Sequence, residues 1–162
     1  MKEGSSVKPK IKYINGNQSL LEDIKDLWEA LNLYHCNRSE HFKSHYQNMT
    51  FNKRKADLIK KAVGGEMLVD LAVDEATGRP VGYVIGSLNA EKIGEIESVY
   101  VDEPYRRMGV GGKLIRTVLA WMEQKGAMEK IVEVSYGNEV AWKFYGRFGF
   151  LPRKTVLKQV KN

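Results

Sequence analysis

Between Ile93 and Tyr136 the apolar pattern changes period twice, and this change constrains the fold more than any other feature of the chain. Ile93–Val101 reads as a strand. Leu114, Ile115, Val118, Leu119 and Met122 then recur on one helical face, so Gly109–Lys125 reads as a helix entered through glycines and stopped at Gly126. Lys130–Tyr136 returns to alternation, with Val132, Val134 and Tyr136 on one face. A helix joining two strands of one sheet is a crossover. Strands 93–101 and 130–136 are therefore expected to be parallel neighbours.

The flanking segments attach to this unit. Met67, Val69, Leu71 and Val73 alternate, and Val81–Leu88 forms the next strand after the turn Ala76-Thr77-Gly78-Arg79-Pro80. The connections among 67–73, 81–88 and 93–101 are too short for crossovers, so these strands form an antiparallel meander. Upstream, Ile11–Ile14 is a short strand. Leu20, Leu21, Ile24, Leu27, Trp28 and Leu31 form one helical face. Further helices are expected over 39–48 and 53–63, the latter stopped by Gly64-Gly65. Downstream, Val140, Ala141, Phe144, Tyr145 and Phe148 mark a helix with Asn138 as its cap and Gly149 as its stop. Phe150–Val160 is expected to close the sheet. The fold class is α+β: a mixed, mostly antiparallel sheet with helices on both faces, in one domain over 1–162, with 1–9 a loose tail.

The chain has 162 residues and a single cysteine, Cys36, so no internal disulfide framework exists. A reducing compartment and a cytoplasmic location are expected. No apolar run approaches the roughly 20 residues of a membrane span, and the N-terminus has no secretory signal pattern. The net charge of +6 suits a polyanionic partner. Its basic residues are dispersed, however, as in Lys53-Arg54-Lys55 and Lys60-Lys61, which read as solvated surface. No nucleic-acid motif is present, and neither a nucleic-acid nor a membrane partner is expected.

The strand 93–101 leads through Asp102-Glu103-Pro104-Tyr105-Arg106-Arg107-Met108 into Gly109-Val110-Gly111-Gly112-Lys113. A helix start presents unpaired amides and a positive dipole end, and glycines let a ligand approach the backbone. This suits a phosphate. The P-loop pattern fails, because Arg107 stands where its first glycine is needed and Leu114 follows Lys113. The dinucleotide fingerprint also fails, because Leu114 stands at its third glycine. The pattern that fits is Arg106-x-x-Gly109-x-Gly111. It resembles the pyrophosphate motif of the GCN5-related N-acetyltransferases. A second stretch, Asn138-x-x-Ala141-x-x-Phe144-Tyr145-x-x-x-Gly149-Phe150, resembles the same family at the expected distance. The likeness covers about residues 67–152.

The resemblance implies the acyl-CoA N-acyltransferase fold, with the sheet splayed open between the two parallel central strands. It implies transfer of an acetyl group from acetyl-CoA, as co-substrate, to a primary amine by direct attack in a ternary complex. A non-catalytic acetyl-CoA sensor or adaptor is the alternative. It places the pantetheine arm along Val99, Tyr100 and Val101, with the backbone N–H of Val99 or Val101 as the oxyanion donor. The pyrophosphate would lie on the amides of Arg107, Met108, Gly109, Val110, Gly111 and Gly112 beside Arg106. Asn138 and Tyr145 would line the cofactor. The family also admits a homodimer.

Amine acetylation needs a base for the ammonium proton and an acid for the departing thiolate. Glu95 and Glu97 are two apart, so a regular strand turns both one way. Glu97 is the preferred base because it lies nearer the splay. The apolar parity shifts between Ile96 and Val99, which points to a β-bulge there. Tyr145 is seven residues past Asn138, on the same helical face, and is the candidate acid. These glutamates suit a cationic acceptor. His41 and His45 are an incomplete ligand set without the glutamate of His-Glu-x-x-His, so no metal is expected. Cys36 has no orienting base and is not expected to be a nucleophile.

Overall fold

The computed structural model describes residues 7–160. Most of the expected tail, residues 1–6, lies outside them. Five strands form one sheet in chain order: β1 (Ile11–Gly16), β2 (Glu66–Asp74), β3 (Pro80–Leu88), β4 (Ile93–Val101) and β5 (Glu129–Val132). β1 to β4 pair antiparallel, and β4 pairs parallel with β5, as the crossover requires. The helices are α1 (Lys25–Arg38), α2 (Lys43–Asn48), α3 (Phe51–Val63), α4 (Val110–Gln124) and α5 (Glu139–Gly146). The first apolar face starts as a 3-10 turn, Gln18–Ile24, and becomes α-helical only at Lys25.

The sheet is the middle layer between two cores. Odd-numbered residues of β2 (Met67, Val69, Leu71, Val73) pack with Leu27, Trp28, Phe51 and Leu58 of α1 and α3. Leu68 and Ala72 face the other way, against Leu114, Ile115, Val118 and Met122 of α4. This period-two division follows from strand geometry. α4 lies very close to the sheet. A Cβ built on Gly86 would stand 2.3 Å from Val118 Cγ2, so only glycine lets the helix down at that point.

Asp70 points into the α4 side of this packing. It is 0% exposed, and neither carboxylate oxygen has a hydrogen-bond partner among the described residues. Burial pushes its pKa up to about 6, against weaker opposition from Thr117 and Lys113 on α4. The folded carboxyl thus keeps its proton to about pH 6, whereas the unfolded one releases it near 3.8. Stability must fall as pH rises through that window, by about 3 kcal/mol in total. Asp70→Asn cannot ionise. It is expected to stabilise the fold at pH 7 by about 1–2 kcal/mol, a rise of several degrees in Tm, and to leave pH 4 nearly unchanged. Thermal melts of both proteins at the two pH values check this, and an equal effect at both would contradict it.

Two expectations are corrected. β5 stops at Val132, not at residue 136, and Tyr136 is 91% exposed. Phe150–Val160 forms no strand, and 151–160 are exposed. With β5 so short there is no ladder for this segment to extend, Pro152 lacks an amide donor, and Val156 and Leu157 break the alternation. Among the described residues, no helix is long and apolar enough to cross a membrane.

Candidate active site

The β4–β5 ladder is short. Ile93–Ile96 pair with Glu129–Val132, and there it ends. Beyond it β4 runs on to Val101 against β3 alone, which leaves the β5 side of Glu97–Val101 open. The register against β3 shifts at this point: Gly86 faces Ile96 and Ile85 faces Ser98, so Glu97 is the extra, bulged residue. The bulge expected from the parity of apolar residues is therefore present, and it sits where the sheet opens. A groove of about 1660 Å³ follows the open edge.

One end of the groove is the start of α4. Gly109 caps the helix at φ 81°, a left-handed conformation that suits glycine, and no side chain caps the first amides. Val110, Gly111 and Gly112 begin the helix, so their amides have no intrahelical acceptor. Gly111 and Gly112 also line the groove without a Cβ to fill it. Arg107 lines it too, in a left-handed turn at φ 62°. Arg106 folds back: its Nε donates to the Val101 carbonyl at 2.8 Å and its guanidinium lies over the Tyr100 ring. It therefore braces the turn between β4 and α4 as well as supplying charge. Met108 is exposed. The whole end is a cradle for an anion.

The middle of the groove holds Val99, Tyr100, Asn138 and Tyr145. Asn138 caps α5, its Oδ1 accepting from the Ala141 amide at 3.3 Å. Tyr145 is buried against Phe144 and Phe150. Burial raises the pKa of its phenol above the usual value, so it stays protonated at neutral pH. Such a group gives a hydrogen bond readily and the whole proton reluctantly.

The far end gathers both candidate bases, in unequal settings. The Glu97 side chain is 2% exposed. Its Oε2 accepts from Arg54 Nη2 at 3.1 Å, and its Oε1 accepts from Lys61 Nζ and Ser87 Oγ, both at 2.6 Å. The same Arg54 nitrogen donates to the Glu97 carbonyl. Glu95 is 25% exposed and accepts at Oε2 from Lys61 at 2.9 Å. The Lys61 pKa is pulled down by burial but more than restored by its bonds to Glu97 and Glu95, with a net rise. Across the groove Tyr46 of α2 donates to Ser135 at 3.0 Å, tying α2 to the segment after β5.

Arg54, Lys61, Ser87 and Tyr46 do not stand out in the sequence. For two of them a signal existed. Phe51, Arg54, Leu58 and Lys61 recur at helical spacing, so the two cations share the face that buries Phe51 and Leu58. Lys53-Arg54-Lys55 reads as surface only when taken as a run.

Comparison with known proteins supplies the remaining evidence. Residues 24–150 match the model of the acetyltransferase (GNAT) family. A 101-residue stretch is 33% identical to an uncharacterized N-acetyltransferase of Methanocaldococcus jannaschii, covering 56% of this chain and 44% of that protein. A 69-residue stretch is 33% identical to N-alpha-acetyltransferase 30 of Schizosaccharomyces pombe, covering 43% and 46%. The matched stretches thus span about half the length of the curated relatives. Among solved structures, a putative acetyltransferase from Pyrococcus furiosus superposes with a TM-score of 0.69 at 22% identity, over 93% of this chain and 99% of that one. The aminoglycoside N-acetyltransferase AAC(6')-Iy in complex with CoA superposes with a TM-score of 0.68 at 18% identity, over 96% and 97%. At these identities the superpositions show a shared fold.

Proposed function

The chain belongs to the acetyltransferase (GNAT) family, and from that premise we propose that it is a single N-acetyltransferase domain. It moves the acetyl group of acetyl-coenzyme A to a primary amine by direct attack in a ternary complex. The observation that carries this reading is one continuous groove, which joins an anion cradle, a protonated phenol and two carboxylates along an open strand edge. Acetyl-coenzyme A supplies the acyl group as an activated thioester. The amides of 107–112 fit its diphosphate, since the helix start offers donors and no Cβ stands before Gly111 or Gly112. The open backbone of Val99–Val101 fits an extended amide-bearing arm. CoA bound to a protein of the same fold supports this placement.

In the reaction a C–N bond forms and a C–S bond breaks; one proton leaves the amine, and the sulfur leaves as a thiolate that takes its proton from solvent. Tyr145 Oη stabilises the departing sulfur by donating a hydrogen bond. For the amine proton the preference between the glutamates reverses. Both Glu97 oxygens are already taken by three side-chain donors and the side chain is buried, which leaves no approach for the amine or a relaying water. Glu95 keeps Oε1 without a protein donor among the described residues and meets solvent, so it accepts the proton through water.

Initial rates measured over a grid of acetyl-CoA and amine concentrations test the ternary complex. Intersecting double-reciprocal lines are expected. Parallel lines would mean a covalent acetyl-enzyme and would overturn direct attack.

A further inference from the structure

Glutamates at the acceptor end suggest a polycationic amine, yet their partners argue otherwise. Glu97 and Glu95 face Arg54 and Lys61, two carboxylates against two cations, with Lys61 Nζ bonded to both acids. Ser87 occupies a further position on Glu97. The charge of this four-residue cluster is therefore cancelled before any acceptor arrives. Trp28, Leu31, Tyr34, Tyr46 and Met49 make much of the remaining wall apolar and aromatic, with His35 stacked on Tyr46 at a centroid distance of 5.7 Å. Burial, and then the nearby Arg38 charge, lowers the pKa of His35, so this ring is neutral at pH 7 and adds no counter-charge of either sign. A polyamine entering here would strip water from its extra ammonium groups and gain little in return, because Glu95 and Glu97 already face Arg54 and Lys61, and Glu133, the other carboxylate lining the groove, is exposed, where pairing is screened by water. A single amine on a flat apolar body would meet matching walls.

Building on the transferase reading above, we propose that Arg54 and Lys61 determine acceptor choice. By neutralising the glutamate pair they turn the groove against polycations and toward a monoamine attached to an aromatic or similarly bulky apolar body. That chemistry is offered both by a free arylalkylamine and by a peptide whose first residue is apolar.

The test compares 2-phenylethylamine, a short peptide beginning with phenylalanine, and spermidine. It uses wild type and Lys61→Met, with Lys61→Gln as a second variant. Lys61 is a half-exposed surface cation, so both variants should fold, and a thermal melt checks this. In wild type one of the two monoamines should exceed spermidine in kcat/KM by at least about tenfold, and which one does so identifies the source. Lys61→Met and Lys61→Gln uncover Glu95 and should shrink that ratio about tenfold or more, through a lower KM for spermidine. Spermidine preferred by wild type, or a ratio unchanged in both variants, would overturn the proposal. Equilibrium binding of the same amines to the acetyl-CoA-saturated protein gives a readout independent of turnover. If no amine is acetylated but binding follows the expected order and shifts in the variants, the transferase reading fails while the selectivity stands. If binding does not follow that order, the selectivity fails.

Discussion

Gly111→Asp should weaken acetyl-CoA binding at least 100-fold, about 3 kcal/mol, while the protein remains folded. Two effects of the substitution must be separated. A Cβ at position 111 would meet the nearest Phe144 ring carbons at 3.5 Å, an ordinary contact, so packing accepts it. A carboxylate in the first turn of α4 also interacts favourably with the helix dipole, so Tm should hold or rise slightly. The same carboxylate occupies the position where the diphosphate needs bare amides, and it repels the phosphate charge. Calorimetric titration with acetyl-CoA alongside a thermal melt separates the two effects. A Kd within about threefold of wild type in a folded variant would show that the start of α4 is not the phosphate site.

Tyr145→Phe should lower kcat about 100-fold and change the KM for acetyl-CoA little, the pattern expected when a group acts only in the transition state. The ring stays packed against Phe144 and Phe150, and the hydroxyl bonds to no protein group in the described residues, so stability should not fall. Because burial raises the phenol pKa, the alkaline side of the wild-type pH–rate profile should not report Tyr145 ionisation. Steady-state kinetics over a pH series measure both. A kcat within roughly twofold of wild type would remove Tyr145 from the chemistry and leave it as a core residue.

The residues that could be read in advance are those whose role is local. The switch of period around Gly109–Gly112 foretold the parallel β4–β5 pair, and the parity shift after Ile96 foretold the bulge at Glu97. Asn138 was legible as a cap because capping is a rule about neighbours along the chain. What was not legible depends on partners far apart in sequence. Glu97 looked like the better base by its place at the splay. Its oxygens are occupied by Arg54 and Lys61, more than thirty residues earlier. Tyr46–Ser135 spans 89 residues, and nothing in either segment announces it. Asp70 lies between the alternating apolar residues of β2. It is buried because β2 is covered on both faces, which only the full layer order reveals. The C-terminal segment has strand-like composition, but a strand needs a ladder, and β5 ends too soon to provide one.

The central claim is acetyl transfer to an amine. Its most direct measurement is thiol release from acetyl-CoA by the wild-type protein, with the acetylated amine followed in the same samples by mass spectrometry. Thiol should appear only when an amine acceptor is present, and each thiol released should be matched by one acetylated amine. Tight acetyl-CoA binding with no amine-dependent thiol release, across aromatic, aliphatic, peptide and polyamine acceptors, would contradict it and identify the protein as an acetyl-CoA-binding module without transferase activity.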